Sequence, residues 1–580
     1  MARVDAVDVV IIGGGLAGLT LARQLLRADA GLRIVLLEKR ASIPSEAQKV
    51  GEATVQVSGY YLSKVLDLEE HLLQRHYLKY NLRFYWPTAA DPSSIEHYSQ
   101  SYIRQFSNIA TYQLDRNALE AELLRLNRED PRFQFVPGVK VIDASLDASP
   151  HVVSYEVGGA AAAVEANWVV DASGRGKAVA RPRGLHQPGT IRHGTSFMWV
   201  EGLLNLEKLT GLPHAAALRH PRRASIGHAP LWLATNHFCG EGFWFWTIPL
   251  HGKTSLGLVF DARLVRYEDV SSAHKLTAWI CDRFPIFARD LPGRRVLHHG
   301  GYADFAFDCA QTISADRWAL CGEAGRFSDP LYSPGGDLIS LYNTLIVDAI
   351  LTGDREDLRR KAALYESMMR AFYEGYVPGF ALSYDTLGDQ EAFSLKYTWE
   401  LTVYFGFYVF PFINGLFTDL RFATHFMRRF TELGRVNRGL QALLSAFYQW
   451  KKTREGAPAA PVFFDFMELT PLREAERTFY AVGVNVEEAT AILDRQLTNA
   501  LTLARFIAAH VSARVLGDAA LRTNRAYVEG LDLAALRFDP DDMRTRYAAA
   551  ARDEARYEWP FDATVVDRFA AAADAKAGLA

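Results

Sequence analysis

The sequence is poor in cysteine and carries no excess of charge of either sign. Only four of its 580 residues are cysteines, and none form a CxxC pair, so neither a disulfide framework nor a zinc site is predicted. Lys and Arg number 64 against 67 Asp and Glu, a net charge of −3. Because the charges nearly balance, neither nucleic acid nor an anionic membrane is an expected partner.

The first residues also lack the basic cluster and the long apolar run of a secretory signal. Together with the low cysteine content, this predicts a cytoplasmic protein. What the chain does have is length and apolar surface, since 49% of its residues are hydrophobic and 12% are aromatic. A chain of this composition folds as a globular protein with sizeable cores rather than remaining disordered.

One uncharged segment, residues 401–418, is near the minimum length of a membrane span. It is aromatic rather than aliphatic, and Pro411, Asn414 and Gly415 interrupt it. We therefore expect a buried helix or pocket wall, which could include a hydrophobic substrate channel, and we do not expect membrane contact.

The chain changes character along its length. Residues 1–355 alternate short apolar runs with helical patterns, which predicts an α/β core, and a strand-rich insertion occupies about residues 190–303. Residues 356–580 are expected to be mostly helical, with helices near 359–373, 435–451, 487–513 and 541–556.

A GxGxxG turn follows the first apolar run. Gly13, Gly15 and Gly18 lie between the β-branched residues 8–12 and a helix-period stretch, and Glu38 closes the next apolar run. This context is typical of a dinucleotide-binding β-α-β unit: the glycines allow the tight turn, the approach of the pyrophosphate and close helix packing. Amides at the helix N-terminus, near Leu16 and Ala17, would bind the diphosphate, and Glu38 with the adjacent Lys39 would lie at the ribose.

Two later segments favour FAD over NAD. Residues 168–174 and 318–325 resemble the second strand-and-turn and the late flavin-contacting motif of glutathione-reductase-type flavoproteins, although Glu323 replaces the usual aspartate. Residues 113–116, including Arg116, resemble a segment near the isoalloxazine of related monooxygenases. The resemblance implies a glutathione-reductase-type Rossmann fold with an inserted mixed β-sheet. No second GxGxxG appears, so reduced flavin is expected from a separate flavin reductase.

Four further motifs occur in order, and with them the chain resembles the flavin-dependent halogenases. They are a flavin-strap motif at residues 50–54, a lysine-bearing segment at 78–84, a WxWxIP motif at 244–249 and a halide loop at 327–335. The resemblance implies an FADH2-dependent enzyme of secondary-metabolite biosynthesis that uses O2 and chloride or bromide. It assigns these site residues: Lys79 as catalytic; Gly51, Glu52, Ala53, Arg116, Asp329 and Gly336 as cofactor contacts; Ser333, Pro334 and Gly335 as halide contacts; Trp244, Trp246, Ile248, Pro249 and Tyr332 as substrate contacts or shielding.

The role implied for Lys79 is to control hypohalous acid, which is otherwise indiscriminate. A buried ammonium could hydrogen-bond the acid, whereas a neutral amine could capture it as a haloamine, and burial favours the neutral form. Both routes stay open at this point. By pattern alone, Lys79, Asn81 and Arg83 alternate with apolar neighbours as on a solvated strand face. The order of the family motifs favours the catalytic interpretation.

The loop departs from that of the tryptophan-type enzymes. Tyr332 stands where they carry a glutamate thought to assist the lysine, and Pro334 replaces a threonine. These departures resemble the phenol and pyrrole branches, so we expect an electron-rich aromatic substrate, phenolic in particular. Halide would then be bound by the backbone amides of Gly335 and Gly336.

Two alternatives stay open. The same fold serves FAD-dependent monooxygenases and lipid-type flavin reductases. The second alternative is a non-catalytic flavoprotein that contacts a carrier protein through Arg359, Arg360, Lys361 and Arg370. Such a basic run is more often a solvated helix face. The expected partners are therefore a flavin reductase and a small aromatic substrate, either free or bound to a carrier protein.

Overall fold

The computed structural model describes residues 2–29, 31–45, 47–552 and 554–574. The chain forms two compact units, and each is built from three stretches. The first unit comprises Met1–Lys79, Ile109–His193 and Asp304–Tyr376, and the second comprises Tyr80–Asn108, Gly194–Ala303 and Val377–Ala580.

These limits differ from the sequence-based boundary near residue 355. The helix Arg355–Ala381 begins at that position, and the division between the units falls later, within the helix, between Tyr376 and Val377. The second unit includes Gly194–Ala303, which lies within a few residues of the strand-rich insertion predicted over 190–303. The sequence did not predict that Tyr80–Asn108 also belongs to this unit. Strand pairing between residues far apart in sequence, rather than composition, sets these limits.

The sheet of the first unit is parallel at its centre. Val9 of the first strand lies beside Ile34 on one side and Trp168 on the other. Such strands are buried on both faces, which explains their continuous apolar runs. The strands, in spatial order, are Ile313–Ser314, Trp318–Leu320, Ala160–Asp171, Ala2–Ile12, Ile34–Glu38 and Phe133–Pro137, while His151–Val157 pairs with Ala160–Asp171 and with Val139–Ser145.

Helices and two small ladders complete this unit. The ladders pair Tyr77–Leu78 with Tyr112–Gln113 and His186–Pro188 with Phe307–Cys309. The helices are Leu16–Ala28, Gln56–Tyr60, Glu69–Arg75, Arg116–Arg128 and Pro334–Leu351, with a π-helical turn at Tyr61–Val65. The predicted strand-helix-strand order is confirmed, and the fold is α/β.

The second unit contains its own eight-stranded mixed sheet. Its strands, in spatial order, are Val296–Tyr302, His193–Glu201, Lys253–Asp261, Phe243–Leu250, Thr235–Gly240, Leu82–Pro87, Tyr98–Tyr102 and Phe463–Asp465. An aromatic and aliphatic core that includes Tyr85, Phe238 and Phe245 covers one of its faces. The helix Ala273–Arg283 contributes Leu276 and Ile280 to that core.

The C-terminal part of the second unit is helical, as predicted. Its α-helices from residue 390 onward are Gln390–Tyr404, Phe410–Ile413, Leu420–Lys452, Thr470–Glu476, Val486–Leu516, Arg525–Glu529, Pro540–Ala550 and Asp567–Asp574. The helix predicted over 541–556 ends at Ala550. Residues 405–409 form a π-helical turn, and all five are buried. Among the described residues, no helix is both long enough and apolar enough to cross a bilayer.

Candidate active site

The glycine turn has the tight geometry that its sequence predicts. Gly13 has φ +114°, and a Cβ on it would lie 2.4 Å from the carbonyl oxygen of Ala172. A Cβ on Gly18 would lie 2.0 Å from the carbonyl oxygen of Gly13, so the helix Leu16–Ala28 packs directly on the turn. No side chain larger than hydrogen fits at either position without movement of the backbone.

Gly15 serves a different purpose. It is the N-cap residue of the helix and supplies no capping side chain, and within the described chain no atom lies within 4 Å of the Cβ position on Gly15. Open space in front of a helix N-terminus fits the diphosphate of a dinucleotide, because the first-turn amides and the helix dipole favour an anion there. The residues present therefore fit FAD.

Glu38 lies at the end of its strand, as predicted, but it first stabilises the turn. Its Oε2 accepts the Gly14 amide at 2.5 Å, and its Oε1 accepts the Arg40 side-chain Nε–H at 2.8 Å. Although burial raises the pKa of the Glu38 carboxyl, the hydrogen bonds and charge of Arg40 outweigh that effect and hold the pKa below its ordinary value. Lys39 is exposed. Contact of Glu38 or Lys39 with a ribose stays a prediction.

The strap motif is held against the segment that begins at Tyr112. Thr54 donates its amide to the Tyr112 carbonyl at 2.9 Å, Leu114 donates to the Glu52 carbonyl at 2.7 Å, and Ala53 bridges Gln113. These bonds form a short antiparallel pairing, which fixes the path of residues 52–54.

Arg116 anchors the start of the strap. Its Nη1 donates to the Val50 carbonyl at 3.0 Å, and its Nη2 donates to Glu120 at 2.8 Å. Gly51 has φ +92°, and a Cβ there would approach Arg116 Nη1 to 2.9 Å. The positive φ favours glycine at this position, and the absence of a side chain lets the guanidinium approach the backbone.

Lys79 is buried, with 3% of its surface exposed. The strand predicted over residues 79–86 is interrupted, because Asn81 has φ +59° and the strand resumes only at Leu82. Lys79 donates its backbone amide to the Thr111 carbonyl at 2.8 Å, and its Nζ donates to the Thr54 carbonyl. The solvated strand-face interpretation of this lysine is therefore wrong.

Burial has a large electrostatic effect on this amine. Desolvation lowers the pKa of Lys79 to about 7, against the smaller opposing effect of the Asp337 carboxylate. Near neutral pH the side chain is thus divided between ammonium and free amine, and both forms considered for capture of hypohalous acid are present.

The halide loop adopts an unusual backbone. Tyr332 and Ser333 have φ +70° and +60°, so two consecutive non-glycine residues are left-handed. Such residues cost about 1–3 kcal/mol each and persist only where the surroundings hold them. Pro334 then occupies the first turn of the helix Pro334–Leu351.

Asp329 holds this loop. Its Oδ1 accepts the Leu331 amide at 2.8 Å, and its Oδ2 lies 2.6 Å from Nδ1 of His193. Asp329 and His193 are both buried. Because both carboxylate oxygens contact the protein, Asp329 positions the loop, and its predicted contact with the cofactor stays a prediction.

Two glycines follow in the first helical turn. Gly335 lies beside the Phe327 ring, with 3.7 Å between its Cβ position and Phe327 Cε2. A Cβ on Gly336 would approach Ser58 Cβ to 3.1 Å, so this turn packs on the helix that follows the strap. The structure thus brings Lys79, the strap, the glycine turn and the halide loop into one unit.

The predicted shielding residues belong to the second unit. Trp244 donates its indole N–H to Tyr384 Oη at 2.7 Å, and Trp246 donates to Ser255 Oγ at 3.1 Å. Their ring centroids are 5.6 Å apart. Ile248 and Pro249 continue the same strand and are buried. Both indoles are thus well-packed core side chains, and their shielding role stays a prediction.

The two remaining flavin-like segments differ in their roles. Asp171 is fully buried and accepts the amides of Ser173 and Val179 at 2.9 and 2.7 Å, so it shapes its turn. Glu323, the residue that replaces the usual aspartate, is 38% exposed and lies 4.0 Å from Arg175. Its carboxylate is therefore accessible to a ligand.

The basic run proposed for carrier contact is largely neutralised within its own unit. Arg359 pairs with Glu356, Arg360 with Asp357, Lys361 with Asp348, and Arg370 lies 3.8 Å from both Asp308 and Glu366. These residues therefore form a solvated helix face with local ion pairs, as such basic runs more often do.

Sequence reasoning missed three residues that shape the site: His193, Ser58 and Asp337. Ser58 donates its backbone amide to Asp337 Oδ1 at 2.8 Å. Asp337 carries a signal in the sequence, because a carboxylate in the first turn of a helix is favoured by the helix dipole. His193 carries none, since its partner lies 136 residues away.

Comparison with known proteins agrees with this geometry. Residues 8–173 match the family model described as FAD dependent oxidoreductase. The chain is 23% identical over 447 residues to flavin-dependent halogenase chlA of Dictyostelium discoideum, an alignment that covers 72% of this chain and 73% of the relative. It is 27% identical to tetracycline 7-halogenase of Kitasatospora aureofaciens, over 57% of this chain and 60% of that protein.

Solved structures show the same fold. The halogenase PltM in complex with phloroglucinol and FAD superimposes with a TM-score of 0.58 at 17% identity, covering 86% of this chain and 96% of PltM. The shared region therefore extends beyond the flavin-binding core into the helical part of the chain.

Proposed function

We propose, from the premise that the chain belongs to the flavin-dependent halogenases, that it halogenates an electron-rich aromatic substrate, in particular a phenol. The observation that carries this proposal is the buried Lys79 amine, with a pKa of about 7, in the same unit as the glycine turn and the halide loop. An amine that is partly neutral at physiological pH is suited to react with an electrophilic halogen.

The residues that would hold FAD are those of the glycine turn, with Gly15 and the helix N-terminus at the diphosphate, and the strap at residues 51–53. Reduced FAD, when bound, would supply two electrons and two protons to O2, which with a halide ion and one further proton would give hypohalous acid and water. The chain itself has to bind the halide, and the amides of Gly335 and Gly336 in the first helical turn are the candidates.

Lys79 would deliver the halogen. In the free-amine form, its nitrogen lone pair attacks the halogen of hypohalous acid, the N–X bond forms, and the O–X bond breaks. The hydroxide released takes the proton that leaves nitrogen and becomes water. The ring carbon of the phenol then takes the halogen, the nitrogen recovers a proton, and the ring loses one. In the ammonium form, the Nζ–H groups would instead hydrogen-bond the acid and polarise it.

A phenol fits the composition of the loop. Tyr332 provides no carboxylate where the tryptophan-type enzymes carry one, so the ring must already be activated towards electrophiles. A phenol is activated by its own oxygen, and the phloroglucinol of the PltM complex is a phenol bound by a protein of the same fold. Whether the substrate is free or attached to a carrier protein is decided by assaying both forms.

The test is a coupled assay with purified protein, FAD, a flavin reductase, NADH, O2 and bromide, against a panel of phenols. We expect brominated products with the paired isotope pattern of bromine. Lys79→Ala should abolish them while peroxide formation driven by NADH continues. Lys64→Ala is the matched control, because Lys64 is an exposed lysine of the same unit paired with Glu69.

Other results contradict the proposal. Product that gains oxygen or hydrogen without halogen would indicate a monooxygenase or a reductase, and aryl bromide that survives in Lys79→Ala would remove the role given to this lysine.

A further inference from the structure

A second charged group shares the buried surroundings of Lys79. Asp337 lies in the first turn of the helix Pro334–Leu351 and has no exposed surface. The field of its carboxylate favours the ammonium form of Lys79, opposing the effect of burial. A buried carboxylate acts strongly on a buried amine, because little water screens the interaction.

Both groups are held by the same short segment of chain. The Nζ of Lys79 donates to the carbonyl of Thr54, and the amide of Ser58, four residues later, donates to Asp337 Oδ1 at 2.8 Å. Ser58 itself lies in the single helical turn Gln56–Tyr60, which begins two residues after Thr54. The segment therefore fixes the amine and the carboxylate in relation to each other, independently of any ligand.

We propose that Asp337 is the counter-charge of Lys79 and sets how much of the amine is protonated and where it is directed. This inference rests on the proposed function, in which Lys79 handles the halogen. Asp337 is thus a positioning residue rather than a group that touches the substrate.

The other charged groups of the surrounding elements are engaged elsewhere. On the strap, Glu52 accepts a hydrogen bond from Gln48, and Lys49 pairs with Glu120. Arg116 also pairs with Glu120, and His76 accepts the Asp115 amide at 3.1 Å. Among the described residues, Asp337 is the one whose charge contributes appreciably to the pKa of Lys79.

The first test is a direct titration of Lys79 in the flavin-free, halide-free protein. Lysine labelled with 13C at Cε is followed by NMR from pH 5 to 11, and the Lys79→Met variant identifies the signal. In Asp337→Asn, which keeps the oxygen that accepts the Ser58 amide, we expect the Lys79 midpoint to fall by about one pH unit or more. Asp337→Glu, which keeps the charge, should restore much of it.

Asp348→Asn is the matched control. It removes the same charge from the same helix, eleven residues further on, where Asp348 accepts a hydrogen bond from Tyr365 and pairs with Lys361. The Lys79 midpoint should stay at the wild-type value in this variant. If Asp337→Asn also leaves the midpoint unchanged, the proposed pairing is refuted. If Asp337→Asn fails to fold, Asp337→Ala is the second variant: its Lys79 midpoint should also fall below the wild-type value, and an unchanged midpoint would refute the pairing.

The second test asks whether the pairing matters for halogenation. The pH profile of aryl bromide formation should shift to lower pH in Asp337→Asn by the same amount as the NMR midpoint. A shifted midpoint with an unshifted profile would refute the role in the reaction. If the wild-type protein forms no halogenated product but the midpoint shifts, the pairing stands and the proposed function fails, so the two failures are distinguishable.

Discussion

Replacement of Lys79 by methionine should stabilise the protein, even though it removes the residue on which the proposed reaction depends. The pKa of Lys79 falls from 10.5 to about 7 on folding. A difference of this size is equivalent to about 5 kcal/mol, of which about 4 kcal/mol opposes folding at pH 7. Methionine has a similar length and carries no charge, so Lys79→Met removes this cost.

The substitution also removes the hydrogen bond that Nζ donates to the Thr54 carbonyl. An unsatisfied buried acceptor costs about 1–3 kcal/mol, which leaves a net gain of about 2 kcal/mol at pH 7. We expect the calorimetric transition of the unit that contains Lys79 to rise by about 5 °C, at about 2–4 °C per kcal/mol for a unit of this size.

The pH dependence identifies the cause. Because the native pKa is the lower one, the unfolded state binds more protons between pH 7 and pH 10.5, and the stability of the wild type rises with pH across that window. The variant lacks this dependence, so its advantage should shrink by about 2 kcal/mol from pH 7 to pH 9. Calorimetry at both pH values measures it.

A paired lysine provides the contrast. Lys451 is equally buried but lies 2.6 Å from Glu391 and 3.0 Å from Asp389, and these carboxylates raise its pKa despite burial. Lys451→Met should therefore destabilise the protein, by about 1–3 kcal/mol, because Glu391 loses one buried charged partner and keeps only Arg514 and His510. A Lys79→Met variant that is less stable than wild type at pH 7, or whose advantage is constant with pH, would refute the reasoning.

Four further substitutions test other parts of the structure. Gly15→Ala should fold normally, because its methyl group enters open space, but it should weaken FAD binding at least tenfold in a fluorescence titration. Gly18→Ala should instead reduce the yield of folded protein, because its Cβ would lie 2.0 Å from the backbone oxygen of Gly13. His193→Phe leaves the Asp329 carboxylate without one partner, so the KM for bromide should rise about tenfold, which is about 1.4 kcal/mol, while FAD affinity stays unchanged. Neighbouring positive charges and hydrogen bonds outweigh burial and hold the pKa of Glu391 well below its ordinary value. The ionised carboxylate therefore stabilises the protein above about pH 4.5, and this stabilisation is lost as the pH falls further. In urea unfolding, the free energy of unfolding should fall less between pH 7 and pH 3.5 in Glu391→Gln than in the wild type.

Sequence patterns predicted the helices and strands whose neighbours in space are also neighbours in the chain. The strand before Gly13, the helix after it and the strand ending at Glu38 all follow from periodicity and glycine spacing, because these elements are adjacent in sequence and in space. The helical pattern likewise indicated nearly all of the helix Val486–Leu516, but only the second half of the helix Leu420–Lys452.

The burial of Lys79 could not be predicted from such patterns. Alternation of polar and apolar residues over 79–86 indicates a half-exposed strand. In the structure, the left-handed Asn81 interrupts the strand, and the Thr54 carbonyl accepts a hydrogen bond from the Lys79 amine. Both depend on segments distant in the sequence. The same holds for Asp337, whose partner Ser58 lies 279 residues away.

The interleaving of the two units limits how the protein can be divided. The chain leaves the first unit immediately after Lys79 and returns to it twice, and residues from Val377 onward supply the strand Phe463–Asp465 to the sheet of the second unit. Removal of the C-terminal part would therefore leave Tyr98–Tyr102 as an unprotected sheet edge, which invites aggregation. Neither half can be prepared by truncation, and fragments designed for isolated study would require three segments to be joined anew.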